Sequence, residues 1–576
     1  MKKPPESTTS LKKSGAHPPS DNYPWLNRYP EDVAWDQKFS PRPLPDLLSD
    51  AVNRFGTLAC TNFLGKTLTY SEIGQLVDQT VAGLQKLGIK KGTRVGLFLP
   101  NCPTFVVYYY AILKAGGTVV NFNPLYTVEE LAKQSSDSGT EIMVTLDLKQ
   151  LFEKVEALVE KGSLKKVIVA SFPALLPPAK SVLFRLFKSG DLAQLKSSPI
   201  APSVIVDRDV ISSSATATPV AIDPEKDIAV LQYTGGTTGT PKGAMLSHAN
   251  LYINVMQVNS WTPELRDGEE RVLGALPFFH VFAMTVVMNF AIAKGSEMII
   301  MPRFVLDDAL KLIQATKPTV MPGVPTLFNA IYNHPKIKKF DLSSLRFCLS
   351  GGAALPIEVK SNFETLLPTG KVVEGYGLSE TSPVVTCNPV NGPIRKGSIG
   401  MPLPATIISL RDLADPTKEV PIGEKGEICI KGPQVMSGYW NNPSETKDAF
   451  VGDFFRTGDV ARVDDDGMFY IEDRIKDLII SNGYNVYPRR IEDAIYAHSA
   501  VEEVTVIGIP NDERGEAPKA FIKLKKGYSA TTEDIFSHLA EKISKIEMPA
   551  EIEFRETLPK TMIGKLSKKE LKDELS

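Results

Sequence analysis

The sequence predicts an α/β protein whose parallel sheets are covered by helices on both faces, followed by a β-rich unit and a mixed C-terminal portion. Over most of the 576-residue chain, short apolar runs alternate with longer segments of helical periodicity, which is the pattern of β-α-β units. After about residue 397 the apolar runs are short and glycine turns separate them, which is typical of a small β-rich unit. Roughly the last hundred residues return to strands placed between helices.

The individual elements can be assigned in chain order. Residues 94–100, "RVGLFLP", form an apolar run of strand length, residues 104–117 have helical character, and residues 117–124 are strand-like again. The further candidate strands are short apolar runs: "EIMVT" (141–145), "KVIVA" (166–170), "EMIIM" (297–301), "GEICIKG" (426–432), "GMFYIEDR" (467–474), "VEEVTVIGIP" (501–510) and "PKAFIKLKKG" (518–527).

Composition and charge exclude several classes of protein. The formal net charge is −2, which argues against a nucleic-acid partner. Residues 1–22 are rich in Pro, Ser and Lys and lack the apolar run of a signal peptide, so we expect a disordered arm there. None of the five cysteines forms a C-x-x-C pair, so the sequence predicts no disulfide framework and no zinc site, and it indicates a reducing, cytoplasmic compartment. The cysteines are Cys60, Cys102, Cys348, Cys387 and Cys429.

Two apolar stretches raise the question of membrane contact. Residues 272–293 contain no acidic side chain, lysine or arginine over 22 residues, which is long enough to span a bilayer. Pro277, His280 and Asn289 interrupt this run, so we expect a buried segment rather than a membrane span. Residues 172–191 mix large apolar residues with Lys and Arg, which leaves two interpretations: a surface that touches a membrane, or an insertion packed on its own domain.

A stretch rich in glycine and threonine, "YTGGTTGTPKGAML" at residues 233–246, suits neither a packed helix nor a regular strand. Glycine destabilises a helix interior by about 1 kcal/mol and leaves nothing to pack in a strand. Such a loop lets backbone N–H groups and hydroxyls approach a phosphate, and Lys242 adds positive charge. The alternative interpretation is a mobile surface loop.

Two common nucleotide-binding motifs do not fit the chain. A Walker A loop requires G-x-x-x-x-G-K-[ST]; residues 65–67 have the right ending, but Cys60 stands where the first glycine belongs. Pro241 precedes the lysine of the 233–246 stretch, so that stretch is not a Walker loop either. "GYGLSE" at 375–380 ends in glutamate where the dinucleotide fingerprint requires glycine. The sequence therefore predicts a phosphate loop of a different kind.

The 233–246 stretch resembles the phosphate-binding signature of the adenylate-forming enzymes, the superfamily of acyl-CoA synthetases, firefly-type luciferases and peptide-synthetase adenylation domains. The resemblance covers nearly the whole chain from about Tyr23, and its branch is most similar to bacterial long-chain fatty acyl-CoA synthetases. Six further signatures follow in order: "SGGAALP" (350–356), "EGYGLSET" (374–381), "KGPQVMSGYW" (431–440), "RTGD" (456–459), "DRIKDLIISNGYNVYPRRIE" (473–492) and "LPKTMIGKL" (558–566).

The resemblance implies a fold and a reaction. The fold would be an AMP-binding domain at residues 23–473, made of two parallel-type α/β sheets and a small β-barrel, then a hinge at 474–477 and a small mobile α+β domain at 478–576. The reaction would be ATP- and Mg²⁺-dependent activation of a fatty acid to an acyl-adenylate with release of pyrophosphate, followed by acyl transfer to CoA. Fatty acid, ATP and CoA would be its partners; a homodimer and a peripheral membrane contact stay open.

The resemblance also assigns roles to residues by their position in the motifs. Asp459 would hold both ribose hydroxyls, and Lys565 would bridge the reacting carboxylate and the α-phosphate. The residues implied to bind ATP or AMP are Thr234, Thr237, Thr238, Lys242, Gly351, Gly352, Ala353, Tyr376, Gly377, Asp459 and Arg474. The residues implied in catalysis are Lys565, Thr234, Glu380 and His280, and Thr234 and Glu380 are also the implied Mg²⁺ ligands.

The acyl pocket is implied by residues around two of the motifs. His280 would lie between the adenylate and the acyl chain, whereas a histidine in an aromatic run is otherwise most often a core residue. Phe279, Val324 and Thr326 would line the pocket, and the lack of an aspartate beside His280 suits a hydrocarbon tail rather than an amino acid. Because each buried CH₂ contributes roughly 0.8 kcal/mol, a deep apolar pocket can discriminate by chain length.

The C-terminal motifs imply a domain rotation between the two half-reactions. Lys476 matches the hinge position, and Gly483 would let the pantetheine of CoA pass. The chain departs from the family at residues 482–484, where relatives commonly have S-G-G or S-G-F and this chain has Asn482-Gly483-Tyr484. It also departs at residues 546–547, where relatives often have Tyr-Lys. We expect Glu547 to change the charge on the surface of the C-terminal domain, where CoA would bind.

Other functions stay open at this stage. Within the class, the chain could act on a medium-chain or aryl acid such as a coumarate, or be a fatty acyl-AMP ligase that serves a carrier protein. Such ligases often carry an insertion near the domain junction, and none is seen between residues 459 and 473. From a different class, the chain could be a non-catalytic lipid-binding or scaffold protein on a degenerate synthetase fold. The presence together of five motif residues argues against that interpretation: Lys242, Glu380, Asp459, Arg474 and Lys565.

Overall fold

The computed structural model describes residues 23–212, 216–234, 241–392, 394–561 and 564–575. Two of its four sheets are parallel at their centres, and helices connect their strands. The predicted α/β class is confirmed, because the apolar runs at 94–100, 141–145 and 166–170 each contain a strand of one parallel sheet.

The first sheet has seven strands and is parallel except at one edge, where Lys242–Ser247 runs antiparallel to Ile228–Thr234. Its central strand Thr118–Asn121 is buried along its whole length, which is the reason such strands read as continuous apolar runs. In order across the sheet, the strands are Val204–Val206, Lys166–Ala170, Ile142–Leu146, Arg94–Leu97, Thr118–Asn121, Ile228–Thr234 and Lys242–Ser247.

The second sheet has nine strands, parallel in the centre and antiparallel at both edges. The apolar run at 272–293 begins in its strand Arg271–Gly274, passes through a turn, and continues as helix up to Lys294. Most of this run is buried, as predicted, and none of the described helices is long and apolar enough to cross a membrane. The strand order is Met401–Pro402, Val384–Cys387, Lys371–Gly377, Phe347–Ser350, Val320–Gly323, Arg271–Gly274, Glu297–Ile300, Ala59–Phe63 and Lys66–Thr69.

The third sheet is antiparallel and contains the short strands predicted after residue 397. The small β-barrel that we expected is not found: in the described residues no strand pairing joins the two outer strands, Ile407–Arg411 and Phe469–Arg474. Phe469 instead forms an isolated β-bridge with Gly400, the residue before strand Met401–Pro402 of the second sheet. This outer strand of the third sheet therefore contacts the edge of the second sheet and does not pair with Ile407–Arg411. The five strands are Ile407–Arg411, Gly426–Lys431, Phe450–Val451, Phe454–Val463 and Phe469–Arg474.

The fourth sheet belongs to the C-terminal portion of the chain. Its two long strands, Val501–Asn511 and Gly515–Leu524, form an antiparallel hairpin that matches the two runs predicted there. Three shorter strands, Ile479–Ser481, Tyr484–Val486 and Glu551–Phe554, complete it. Helices Pro488–Tyr496 and Thr532–Ala540 pack against this sheet through a separate apolar core that includes Ile491, Ile535 and Val506.

The helices begin where the sequence offers a capping residue. Thr69, Thr127, Ser247 and Thr531 each accept a hydrogen bond from the backbone N–H of the third helical residue, whose own side chain bonds back to the cap. The α-helices are Asp46–Phe55, Tyr70–Lys86, Pro103–Lys114, Val128–Ser138, Lys149–Glu160, Pro178–Phe187, Asp207–Ile211, His248–Trp261, Val281–Ala283, Phe290–Lys294, Leu306–Thr316, Pro325–Tyr332, Ile357–Glu364, Pro443–Asp448, Pro488–Tyr496, Thr532–Ala540 and Lys568–Leu575, with a π-helix at Met284–Asn289.

Candidate active site

Four neighbouring parallel strands of the second sheet bring the predicted motifs to one edge. In open α/β sheets, ligands bind outside the carboxyl ends of the strands, and the motif residues follow those ends. His280 comes after Arg271–Gly274, Val324 after Val320–Gly323, Gly351 and Gly352 after Phe347–Ser350, and Tyr376 at the end of Lys371–Gly377.

Asp459 is the centre of a hydrogen-bonded group at this edge. It is nearly fully buried, accepts a 2.7 Å hydrogen bond from the Tyr376 hydroxyl, and forms a 2.9 Å ion pair with Arg474. Burial and the Asp459 charge raise the pKa of Tyr376, so its hydroxyl stays protonated and donates a hydrogen bond to the carboxylate. The Arg474 side chain is about half exposed and extends this group toward solvent.

Glu427 fixes the turn that presents Asp459. Its carboxylate is buried and accepts hydrogen bonds from Arg456 Nε at 3.0 Å, Arg456 Nη2 at 2.8 Å and the Gly458 N–H at 3.0 Å. Gly458 has a φ of +72°, a conformation that favours glycine. The "RTGD" turn is therefore held by a carboxylate from the adjacent strand.

We expect Glu427→Gln to lower the free energy of unfolding by about 2 kcal/mol, since an amide N–H group would face donors that now bond to a carboxylate. The measurement is guanidinium-induced unfolding of both proteins. Glu424→Gln, at an exposed position near the start of the same strand, is the matched control. Equal midpoints for the two variants would show that Glu427 does not hold the turn.

Lys565 extends from the C-terminal portion and lies against Gly352. A Cβ atom placed on Gly352 would be 2.9 Å from Lys565 Cε and 3.4 Å from Lys565 Nζ, so the missing side chain makes room for the lysine. Thr326 Oγ1 donates a 2.7 Å hydrogen bond to the carbonyl of Gly564 and fixes the adjoining backbone. Burial and the charge of Arg474 lower the pKa of Lys565 to about 8. An anion placed between these cations would relieve that repulsion.

His280 faces the same space and is uncharged at neutral pH. Its Nδ1 accepts a 3.2 Å hydrogen bond from the Phe282 N–H at the start of the helical segment. Burial and the charge of Lys565 lower the pKa of His280 to about 3. With Nδ1 as an acceptor, the proton of the neutral ring is on Nε2. The Phe282 ring packs against Gly351, where a Cβ atom would lie 2.9 Å from Cζ.

A second group of side chains surrounds Glu380 and Lys242. Tyr439 donates a 2.9 Å hydrogen bond to Glu380 Oε1, and the Lys242 ammonium lies 5.5 Å from the centre of the Tyr439 ring. Lys242 forms an ion pair with Glu445. Burial is the main cause that raises the pKa of the Glu380 carboxyl. This group connects the two parallel sheets. Lys242 begins the strand Lys242–Ser247 of the first sheet, and Glu380 follows the strand Lys371–Gly377 of the second.

The remaining nucleotide-motif residues have simpler environments. Thr234 is the last residue of its strand, and its hydroxyl oxygen lies 3.5 Å from the Lys242 carbonyl oxygen. Thr237 and Thr238 lie outside the described residues. Gly377 packs so closely that a Cβ atom would be 1.8 Å from the Pro383 carbonyl oxygen, which requires glycine. Ala353 is exposed on the same edge as Gly352.

A small, mainly apolar cavity lies between one face of the second sheet and two helices, and none of the predicted site residues that the structure describes lines it. Val286 and Phe290 come from the helical segment that begins after His280, and Val258 comes from helix His248–Trp261. The other lining residues are Trp261, Thr262, Val320, Pro322, Phe347, Leu349, Val384, Cys387 and Leu403.

Residues 48–440 match the AMP-binding enzyme family, and residues 490–565 match the AMP-binding enzyme C-terminal domain. The chain belongs to the AMP-binding enzyme family. The first match covers every strand of the first sheet and all nine strands of the second. The second match ends at Lys565, the residue that reaches Gly352.

Relatives of known name cover nearly the whole length of this AMP-binding enzyme. It is 42% identical to the long-chain-fatty-acid–CoA ligase of Bacillus subtilis (strain 168), with 96% of this chain and 98% of that protein covered. It is 37% identical to the long-chain-fatty-acid–CoA ligase of Escherichia coli O6:H1, with the same coverage. The crystal structure of ATP-bound MatB from Rhodopseudomonas palustris is similar with a TM-score of 0.79 at 28% identity, covering 92% of this chain and 98% of that one.

Two predicted residues of the AMP-binding enzyme lie apart from this cluster. Lys476 is exposed in the turn Ile475–Asp477, and partial burial together with Arg474 lowers its pKa to about 8. Gly483 is in the exposed hairpin turn between Ile479–Ser481 and Tyr484–Val486, with φ +78°. Among the described residues, no heavy atom lies within 4 Å of the Cβ position at Gly483.

The expectation that Glu547 changes the surface charge of the C-terminal domain is wrong. Glu547 is buried, with 5% of its surface exposed. Its carboxylate pairs with Arg490 at 3.1 Å and accepts hydrogen bonds from the backbone N–H and hydroxyl of Ser544. These partners compensate the charge locally, so Glu547 stabilises its own turn.

The sequence reasoning missed Tyr439, Glu445 and Glu427. Tyr439 stands inside the quoted motif "KGPQVMSGYW", which is the signal that could have identified it. Glu445 and Glu427 lie outside the motifs that carry the resemblance. Only folding brings Glu445 to Lys242 and Glu427 to Arg456.

Proposed function

We propose that the chain is an AMP-forming long-chain fatty acid–CoA ligase. In the first step, a carboxylate oxygen of the fatty acid bonds to the α-phosphorus of ATP, and the bond from that phosphorus to the departing pyrophosphate breaks. In the second step, the thiolate sulfur of CoA bonds to the acyl carbon and AMP leaves. The full-length similarity to two long-chain-fatty-acid–CoA ligases supports this substrate class.

The observation that carries the proposal is the position of Lys565. Its ammonium lies against Gly352, close enough to Arg474 for the two positive charges to interact and close enough to His280 to help keep that ring neutral. Two anions must meet in the first step, so positive charge positioned between them lowers the barrier. Lys565 would bridge the reacting carboxylate and the α-phosphate, and neutral His280 would orient the acyl carboxyl through Nε2–H without adding charge.

The nucleotide would bind along the edge of the second sheet. Asp459 would accept hydrogen bonds from the ribose hydroxyls with Arg474 beside it, and the Tyr376 ring would stack on adenine. The open backbone at Gly351 and Gly352 would let the ring approach. The remaining residues proposed for ATP are Thr234, Thr237, Thr238, Lys242, Ala353 and Gly377, with the first four directed at the β- and γ-phosphates.

The donor set at Glu380 fits a magnesium ion. Mg²⁺ prefers oxygen ligands and is commonly held by one or two carboxylates together with substrate phosphates. The Glu380 carboxylate is partly buried next to Lys242 and the Thr234 hydroxyl lies at the end of the adjoining strand. Among the described residues no cluster of three His, Cys, Asp or Glu side chains that could hold a metal occurs. When bound, the ion would neutralise phosphate charge.

The fatty acyl chain would enter the apolar region beside His280. Phe279 precedes that residue in the chain, and Val324 and Thr326 lie against the Gly564–Lys565 segment. For the second step, we propose that a rotation at Lys476 withdraws Lys565 and brings Gly483 to the site, where CoA would pass.

The experiment is pyrophosphate release with ATP and Mg²⁺ over acids from acetate to oleate, with and without CoA, and with detection of the thioester. We expect release to be largest with long chains and to yield acyl-CoA. Release without any thioester would indicate a fatty acyl-AMP ligase. A maximum with medium-chain or aryl acids would replace the substrate class, and no release at all would overturn the proposal.

The pKa of Lys565 leads to a pH prediction. A lysine is charged below its pKa, so kcat/KM for ATP in the first step should fall as the pH rises through about 8. Lys565→Arg keeps the positive charge at every accessible pH. The fall of kcat/KM at alkaline pH should therefore move to higher pH in this variant, whatever its absolute rate. Lys476 has a similar pKa of about 8, and Lys476→Arg is the control that should leave the alkaline fall in place. If the alkaline fall of kcat/KM kept its position in Lys565→Arg, the assignment of that fall to deprotonation of Lys565 would be contradicted.

A further inference from the structure

The helix Pro178–Phe187 presents an apolar face to solvent. None of its ten residues is buried, and four of its five large apolar side chains are more than half exposed: Val182 57%, Leu183 53%, Leu186 68% and Phe187 80%. Residues 182 and 186, and residues 183 and 187, are one turn apart and lie on one side of the helix. Singly exposed apolar residues are ordinary, but a contiguous helical stripe marks an interaction surface.

The body of the protein holds this helix with that face outward. Phe184, on the opposite side, packs its ring 5.1 Å from Phe172, whose ring is 6.4 Å from Phe63 in the second sheet. Lys180 Nζ donates a 2.7 Å hydrogen bond to the Leu64 carbonyl. The helix is thus anchored at two points and its orientation is fixed.

Basic side chains surround the apolar stripe. Arg185 is exposed on the helix, Lys188 is exposed directly after its last residue, and Lys180 is exposed near its start. Lys66 on the neighbouring strand bonds to the Ala174 carbonyl. The acidic residue closest in sequence, Asp191, lies 3.7 Å from Lys188 and offsets one of these charges. The chain as a whole has a net charge of −2, so this positive surface is a local feature.

We propose that the helix Pro178–Phe187 docks the protein on an anionic lipid bilayer. Val182, Leu183, Leu186 and Phe187 enter the boundary between headgroups and acyl chains, and Arg185 and Lys188 contact lipid phosphates. A ten-residue helix is only about 15 Å long, so it lies in the interface and does not cross the bilayer.

Charge distinguishes the bilayer from two other occupants. A second copy packed helix to helix would bring two basic rims together, which is unfavourable. Residues 1–22 of the same chain carry four lysines against Glu6 and Asp21 and have Leu11 as their only large aliphatic side chain apart from Met1, so they complement neither the apolar stripe nor its rim. An anionic membrane complements both.

The experiment is flotation of the full chain with vesicles of equimolar phosphatidylcholine and phosphatidylglycerol, and with phosphatidylcholine alone. We expect the wild-type protein to float with the anionic vesicles and Leu186→Glu combined with Phe187→Glu to lower the bound fraction about tenfold or more. The matched control combines Ile422→Glu with Tyr528→Glu, two apolar positions that are similarly exposed elsewhere, and should bind like the wild type. Arg185→Glu with Lys188→Glu should weaken binding to the anionic vesicles only.

Binding needs no turnover, so this test is independent of the proposed reaction; pyrophosphate release with soluble octanoate should be the same in all variants. Equal flotation of the Leu186/Phe187 variant and the wild type would overturn the proposal, as would absence of wild-type binding. If the variant instead changed the molar mass in solution, measured by light scattering, the face would be an interface between copies.

Discussion

Lys565→Ala should lower acyl-adenylate formation about 100-fold or more, while thioester formation from supplied acyl-adenylate and CoA keeps most of its rate. The ammonium is the charge from the C-terminal portion that lies against Gly352 in this arrangement. Removing a single preorganised donor from a transition state commonly costs this much. The first half-reaction uses that charge between two anions. The second begins with the acyl-adenylate, in which the carboxylate charge is already gone, and so requires Lys565 less.

The two half-reactions are measured separately. Pyrophosphate release in the absence of CoA reports the first, and conversion of chemically prepared acyl-adenylate to acyl-CoA reports the second. Lys569→Ala is the matched control, because Lys569 is exposed on the final helix near Lys565. If both half-reactions fell equally in Lys565→Ala, the account in which two domain orientations use different residues would be contradicted.

The regular elements could be predicted because they follow from local pattern. Strands such as Thr118–Asn121 are buried on both faces and therefore appear as apolar runs. The closing of the β-rich unit could not be predicted, since it depends on which strands meet at the edge: Phe469 pairs with Gly400 instead of with Ile407–Arg411. Local sequence carries no information about that choice.

In the candidate site, too, some residues could be predicted from local sequence and others could not. Residues inside motifs, such as Asp459 and Lys565, could be assigned because the motif gives their position. The partners that hold them could not, because they are distant in sequence: Glu445 is 203 residues from Lys242, and Glu427 lies on a neighbouring strand from Arg456. Glu547 shows the reverse error, where a charge expected on the surface is buried beside Arg490.

Asp459→Ala should raise the KM for ATP by about 100-fold, with a smaller fall in kcat. The carboxylate is nearly fully buried, accepts a hydrogen bond from the Tyr376 hydroxyl and forms an ion pair with Arg474. Each hydrogen bond to a charged group contributes about 1.5–3 kcal/mol, so loss of two ribose contacts would account for a change of this size. The loss belongs to binding of the nucleotide in both ground and transition states, and it should therefore appear chiefly in KM.

Tyr376→Phe separates the ribose contacts from the integrity of the site. This variant removes the 2.7 Å hydrogen bond to Asp459 but keeps the aromatic ring and the Asp459–Arg474 ion pair. Its KM for ATP should rise tenfold at most. Titration calorimetry with ATP should follow the same order, and thermal unfolding should show that both variants fold. If Asp459→Ala kept the wild-type KM, or if Tyr376→Phe equalled it in effect, Asp459 would be a structural partner of Tyr376 rather than the group that binds ribose.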